Sequence, residues 1–152
     1  MSERSIICST PAETFGFGED LGASLKRRDV VLLSGELGAG KTLLTKGILN
    51  ALGFDVDEVT SPSFTLVNLY KTQKLDIYHI DLWRLDSRHD IASAVGLDEI
   101  VDKLDAITII EWADRLENVV FPNRTIKIDI SGDGDEPRHI GIKYDEVEAP
   151  VQ

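Results

Sequence analysis

Residues 35–42, GELGAGKT, fit G-x-x-x-x-G-K-[ST] at every fixed position, and their setting constrains the fold more than any other feature of the chain. They follow DVVLLSG (29–35), a short apolar run bounded by a charge and a glycine, which reads as a strand buried on both faces. They open a helix from about Lys41, with Leu44, Ile48, Ala51 and Leu52 on one stripe and Gly53 as its stop. That context makes the pattern a phosphate-binding P-loop. Glycines at 38 and 40 remove β-carbons, so successive N–H groups can converge on phosphate oxygens. The helix N-terminus adds about half a positive charge. Gly38, Ala39, Gly40, Lys41, Thr42 and Leu43 are therefore the expected nucleotide-binding set. Lys41 serves the β and γ phosphates, and the Thr42 hydroxyl is the expected protein ligand of Mg²⁺.

The remainder reads as an α/β chain. SIICS (5–9) is a first strand, and TPAE after it is a helix start, with Thr10 as N-cap, Pro11 at the first helical position and Glu13 three after the cap. Phe17, Leu21 and Leu25 recur at helical spacing. Residues 54–64 lack periodicity and read as a loop. TLVNLY (65–70) and LDIYHID (75–81) flank the polar KTQK as an antiparallel hairpin, so the sheet is mixed. DIASAV (90–95) and LDEIVDK (97–103) read as short helices, and AITII (106–110) as a second fully buried strand running into Glu111. TIKIDI (125–130) and HIGIKY (139–144) alternate in period two and close the chain. The expectation is one P-loop domain over residues 1–152, a three-layer sandwich around a mixed sheet of about seven strands.

Hydrolysis requires a carboxylate near the metal and a means of orienting water. Asp81 and Glu111 both end strands, so either can serve Mg²⁺ while the other positions the water. Glu111 is the better placed on pattern, because its strand is apolar on both faces and belongs beside the P-loop strand, whereas Asp81 sits on a hairpin strand. Lys41, Asp81 and Glu111 are the candidate catalytic residues. TSPSFT (60–65) has the composition of a nucleotide-sensing switch, with Ser61, Ser63 and Thr65 as its candidate contacts. Trp112 either stacks on a base or ribose or belongs to the core. His79 and His89 share no spacing with acidic or sulfur ligands and read as structural. Arg84 and Arg88 read as solvated charge.

Composition narrows the function. Sixteen Lys plus Arg against 27 Asp plus Glu give a net charge of −11, which repels polyphosphate backbones and argues against unaided nucleic-acid binding. The single cysteine, Cys8, excludes an internal disulfide and fits a reducing compartment, with Cys8 as a small strand residue. The longest purely aliphatic run is Val30 to Leu33, far short of the ~20 residues a membrane span needs, and no basic segment and apolar core mark a leader, so a cytoplasmic protein is expected. A guanine-reading N/T-K-x-D element is absent: DKLD (102–105) has the wrong first residue and precedes its strand. ATP is the expected nucleotide. A nucleotide-dependent docking module without essential hydrolysis, or a small-molecule kinase, are the alternatives.

The blocks PAET, GELGAGKT, TSPSFTLVN, YHIDLWRL, GLDEI and IIEWADRL resemble, in order and spacing, the TsaE (YjeE) family of bacterial P-loop ATPases, required for the threonylcarbamoyladenosine modification of tRNA. The likeness covers nearly the whole chain. Glu36 stands where that family commonly has Asp, and Ser63 where it has Thr; charge and hydroxyl are kept. The resemblance implies a slow, Mg²⁺-dependent ATPase acting with two partner proteins of the threonylcarbamoyl-transfer complex, of the TsaB and TsaD type, and meeting tRNA only through them. It also implies that the transfer chemistry belongs to the partners while ATP turnover resets the complex. Carried over residue by residue, it makes Lys41 and Thr42 phosphate and metal contacts, Asp81 and Glu111 the acidic pair, Ser61 to Thr65 the switch, and Trp112 a neighbour of the nucleotide.

Overall fold

The computed structural model describes residues 2–36, 39–55, 67–82, 96–113 and 121–145. The switch residues Ser61, Ser63 and Thr65, the expected helix DIASAV, His89, Arg84, Arg88 and Gly38 of the P-loop lie outside them. The elements run β1 (Ser2–Cys8), α1 (Pro11–Ser24), β2 (Val30–Ser34), α2 (Lys41–Ala51), β3 (Val67–Lys71), β4 (Asp76–Asp81), α3 (Leu97–Val101), β5 (Ala106–Glu111), β6 (Thr125–Ser131) and β7 (Arg138–Asp145). Seven strands form one mixed sheet in the order β1-β7-β6-β2-β5-β4-β3. β6, β2, β5 and β4 are mutually parallel; β7 and β3 run against them at either flank, and β1 pairs antiparallel with β7.

Local signals explain most boundaries. α1 begins with a complete capping box: Thr10 N–H donates to Glu13 Oε2 (3.0 Å), and Glu13 N–H donates to Thr10 Oγ1 (3.2 Å). α2 ends where Gly53 takes φ 89°, a left-handed conformation open to glycine. Its buried stripe is Leu44, Thr45, Ile48 and Leu49; Ala51, expected on that stripe, is exposed. The hairpin forms as expected, but Lys71 joins β3, and the turn is closed by Thr72 N–H donating to the Leu75 carbonyl (3.0 Å).

Strand alternation assigns the two faces. Val31, Leu33, Ile77, Ile107, Ile109, Ile126 and Ile128 pack with Phe17, Leu21, Leu44, Ile48 and Leu49 beneath α1 and α2. Val30, Ile80, Leu82 and Ile110 pack on the other side with Leu97, Ile100 and Val101 of α3. Each fully buried Leu or Ile contributes about 1.5–3 kcal/mol relative to exposure. Every residue of β5 is buried, which is the cause of its unbroken apolar sequence.

At the N-terminal end of the parallel strands a polar stitch joins distant parts of the chain. Asp29 is 3% exposed, accepts from Lys26 N–H (2.7 Å), and is bonded by Arg124 at Nε (3.1 Å) and by a second guanidinium nitrogen (2.6 Å). Asn123 Nδ2 donates to the carbonyls of Arg28 (2.7 Å) and Val101 (2.8 Å). Removing Asp29 costs the partly buried Arg124 two charge-assisted bonds and the Lys26 N–H its acceptor, so Asp29→Ala is expected to lower stability by about 2 kcal/mol in urea denaturation. An unchanged midpoint would reduce this pair to an ornament of the loop.

Candidate functional site: the P-loop and its carboxylates

The site is built where four parallel strands end together. Leu33 of β2 lies opposite Glu111 of β5, and Glu111 lies opposite Asp81 of β4. Adjacent strands sit about 4.8 Å apart, so the P-loop strand and both carboxylates occupy neighbouring positions along one sheet edge. That is the carboxyl-end crevice in which open α/β sheets bind ligands. Sequence reading ranked Asp81 below Glu111 as a hairpin residue. The structure gives β4 a second neighbour, β5, and this brings Asp81 level with Glu111. Asp81 is 6% exposed and Glu111 3%.

Gly35 leaves β2 so close to β6 that a β-carbon there would stand 2.3 Å from the Ile130 carbonyl oxygen. Gly40 takes φ 108° and occupies the N-cap position of α2, where no side chain caps the helix. The contrast with α1 is physical: α1 satisfies its first amides internally, whereas the first turn of α2, Lys41 to Leu43, has no side-chain cap. Thr42 is exposed in that turn and Leu43 is partly buried. On the far side, Arg138 Nε donates to the Ala39 carbonyl (3.0 Å), tying the loop to β7.

Lys41 is 6% exposed, and its ammonium donates to the carbonyls of Gly35 (2.6 Å) and Glu36 (3.0 Å), bent back over its own loop. Trp112 covers it, with Nζ 4.1 Å from the ring centroid, a cation–π contact. Trp112 holds φ 60°, a sparsely populated conformation for a bulky residue, imposed at the step where β5 leaves the sheet. The ring is thus a neighbour of the Lys41 ammonium.

His79 shows most clearly what sequence reading missed. It is fully buried on the same face as Asp81, and its Nε2 lies 2.5 Å from Glu111 Oε2. No short spacing announces the pair, because 32 residues separate its members. Beside the loop, a cavity of about 210 Å³ is lined by Cys8, Thr10, Pro11, Thr14, Gly40, Leu43 and Arg138, among others. Cys8 ends β1, as the small strand residue its sequence context predicted; it is a buried free thiol, and burial is the largest cause of a pKa raised above the ordinary value.

Among the described residues, no group of three or more His, Cys, Asp and Glu forms a metal cage. The available donors are the Thr42 hydroxyl and the two carboxylates. All are hard oxygens, a set that fits Mg²⁺, which takes one or two protein carboxylates and completes its shell with phosphate and water. No helix among the described residues is long and apolar enough to cross a membrane.

Residues 8–140 match the family profile described as "Threonylcarbamoyl adenosine biosynthesis protein TsaE". The chain belongs to the TsaE family. It is 33% identical over 142 residues to the tRNA threonylcarbamoyladenosine biosynthesis protein TsaE of Rickettsia bellii, covering 93% of this chain and 96% of that one. The Bacillus subtilis TsaE is 36% identical over 86% of this chain and 78% of its own, and that of Mycobacterium leprae is 40% identical over 74% and 73%. The crystal structure of Bacillus subtilis YdiB superposes with a TM-score of 0.74 at 30% identity, covering 97% of this chain and 87% of that one. The family is one of threonylcarbamoyladenosine biosynthesis, and the mixed seven-stranded fold is shared with the solved YdiB structure.

Proposed function

We propose that this TsaE-family chain is the ATP-binding and slowly ATP-hydrolysing subunit of the bacterial tRNA threonylcarbamoyladenosine machinery, its turnover resetting a partner transferase complex of the TsaB and TsaD type. One observation carries the reading: an ammonium, Lys41, stands at an uncapped helix start under Trp112, and the residue before that tryptophan, Glu111, is buried and paired with buried Asp81 across adjacent strand ends. Backbone amides at the helix start and an ammonium receive the triphosphate; the carboxylates serve metal and water. Mg²⁺, held by Thr42 with Asp81 or Glu111, would neutralise phosphate charge. The other carboxylate of the pair orients the attacking water. For Lys41 to meet a phosphate, its bonds to Gly35 and Glu36 must exchange for phosphate oxygens, a substitution of stronger acceptors for weaker ones. The chain's net charge of −11 supports contact with tRNA through partners instead of directly.

Glu111→Gln tests hydrolysis. It removes the negative charge and keeps the shape. ATP binding should persist, hydrolysis should fall about 10²–10⁴-fold, and a reconstituted modification reaction should stall after its first round. Unimpaired repeated rounds would instead favour a docking module that needs occupancy alone.

The cavity is lined in part by Gly40 and Leu43 of the P-loop and takes the nucleoside end of the ligand in this reading. Cys8 reports on it. Its side chain is buried, and burial raises the thiol's pKa, so alkylation at neutral pH should be slower in the folded chain than in urea. MgATP should slow it further; an unchanged rate with saturating nucleotide would place the nucleoside elsewhere.

A further inference from the structure

We propose that His79 is a positioning residue for Glu111, its Nε2–H fixing Oε2 so that the second carboxylate oxygen alone is presented at the strand-end crevice. This inference rests on the ATPase reading above. Strand geometry brings the pair together: His79 lies opposite Ile109 in the β4–β5 ladder, and the side chains of 79, 109 and 111 share one sheet face. Nε2 and Oε2 are 2.5 Å apart, with the histidine side chain 0% and the glutamate side chain 4% exposed, so water does not compete for this bond. A carboxylate in that position has two oxygens and free rotation about its last bond. A buried donor on one oxygen removes that freedom, which is the service outer-shell groups give to metal-binding and catalytic carboxylates.

The ring is itself immobilised. Tyr70 packs against it with centroids 6.1 Å apart, and Phe54 packs against Tyr70 at 4.7 Å. Phe54 N–H donates to the Leu49 carbonyl at the end of α2 (3.0 Å). The row Phe54, Tyr70, His79, Glu111 therefore runs from the far end of the P-loop helix to the carboxylate. Nδ1 of His79 is buried and has no hydrogen-bond partner among the described residues. The ring's whole polar investment is thus in Glu111.

The test uses the full chain and two independent readouts. The first is single-turnover hydrolysis of MgATP by His79→Ala, His79→Gln, Glu111→Gln and the double variant His79→Ala/Glu111→Gln. His79→Ala should lower the rate about 10–100-fold with the half-saturating MgATP concentration changed less than about threefold. His79→Gln, which keeps an N–H near Nε2, should recover part of that loss. In the Glu111→Gln background the alanine change should cost almost nothing further. The second readout is ¹⁵N-histidine NMR of the unliganded chain, which has three histidines. One Nε2–H should be shielded from solvent exchange and should lose that protection in Glu111→Ala.

Equal rate losses in both Glu111 backgrounds, a wild-type rate for His79→Ala, or no protected ring N–H would overturn the proposal. If His79→Ala does not fold, His79→Gln carries the same cycle and the NMR signature stands by itself. A wild-type chain that neither binds nor hydrolyses MgATP would instead sink the ATPase reading. Failure of the histidine role alone leaves wild-type turnover intact.

Discussion

Lys41→Ala is expected to abolish most nucleotide chemistry, lowering MgATP hydrolysis by about 10²–10³-fold and weakening ATP binding more than ADP binding. The asymmetry follows from placement. Lys41 begins α2, and its ammonium is the full charge expected to serve the β and γ phosphates, whereas the backbone amides of the loop survive the substitution. The lysine also bonds the carbonyls of Gly35 and Glu36 and lies under Trp112, so the variant unties the unliganded loop as well. Tryptophan fluorescence separates the two consequences: it should change in Lys41→Ala before any nucleotide is added. Hydrolysis within about threefold of wild type would remove Lys41 from the chemistry.

The second large effect is on stability and comes from the packing of α1 on α2. The two helices approach so closely that glycine backbones form the contact. A β-carbon at Gly47 would stand 2.2 Å from the Phe15 carbonyl oxygen, and one at Gly18 would stand 2.3 Å from the Leu44 carbonyl oxygen. Alanine is favoured over glycine in a helix interior by about 1 kcal/mol. That gain is outweighed, because backbone atoms cannot swing aside and the helices must separate, which uncovers Leu44, Ile48 and Phe17. Gly47→Ala is therefore expected to cost a net of about 2 kcal/mol, or about 5 °C in Tm for a chain of this size. Gly18 and Gly47 face each other, so one displacement relieves both clashes, and the double variant should cost less than the sum of the singles. Because α2 carries Lys41 and Thr42, the same displacement should weaken MgATP binding. A stabilised Gly47→Ala would mean that the helices tolerate separation.

How much of this was legible in the sequence depends on distance along the chain. The P-loop, the Thr10–Glu13 capping box and the buried strand β5 are local sequence patterns: the box is fixed by bonds three residues apart, the P-loop by a contiguous motif, and β5 by an unbroken apolar run that only a strand buried on both faces accommodates. Fold class followed from strands and helices alternating around them. The β-hairpin was legible, though Lys71 extended its first strand, since strand ends are set by pairing instead of by composition. Parallel pairing was not legible. Nothing in LDIYHID announces that β4 lies beside β5, so Asp81 read as a hairpin residue of lower rank than Glu111, although the two face each other across the ladder. For the same reason His79 read as structural, while its partner stood in another strand. Trp112 read as base stack or core; its left-handed backbone, which no sequence pattern signals, sets it over Lys41.

Residues 35–43 are expected to enclose a triphosphate. Titration calorimetry of the full chain with ATP and Mg²⁺ tests it most directly. The predicted result is saturable binding at one site per chain, lost in Lys41→Ala; no heat up to about 1 mM nucleotide, a bound that excludes affinities stronger than about −4 kcal/mol, would contradict it.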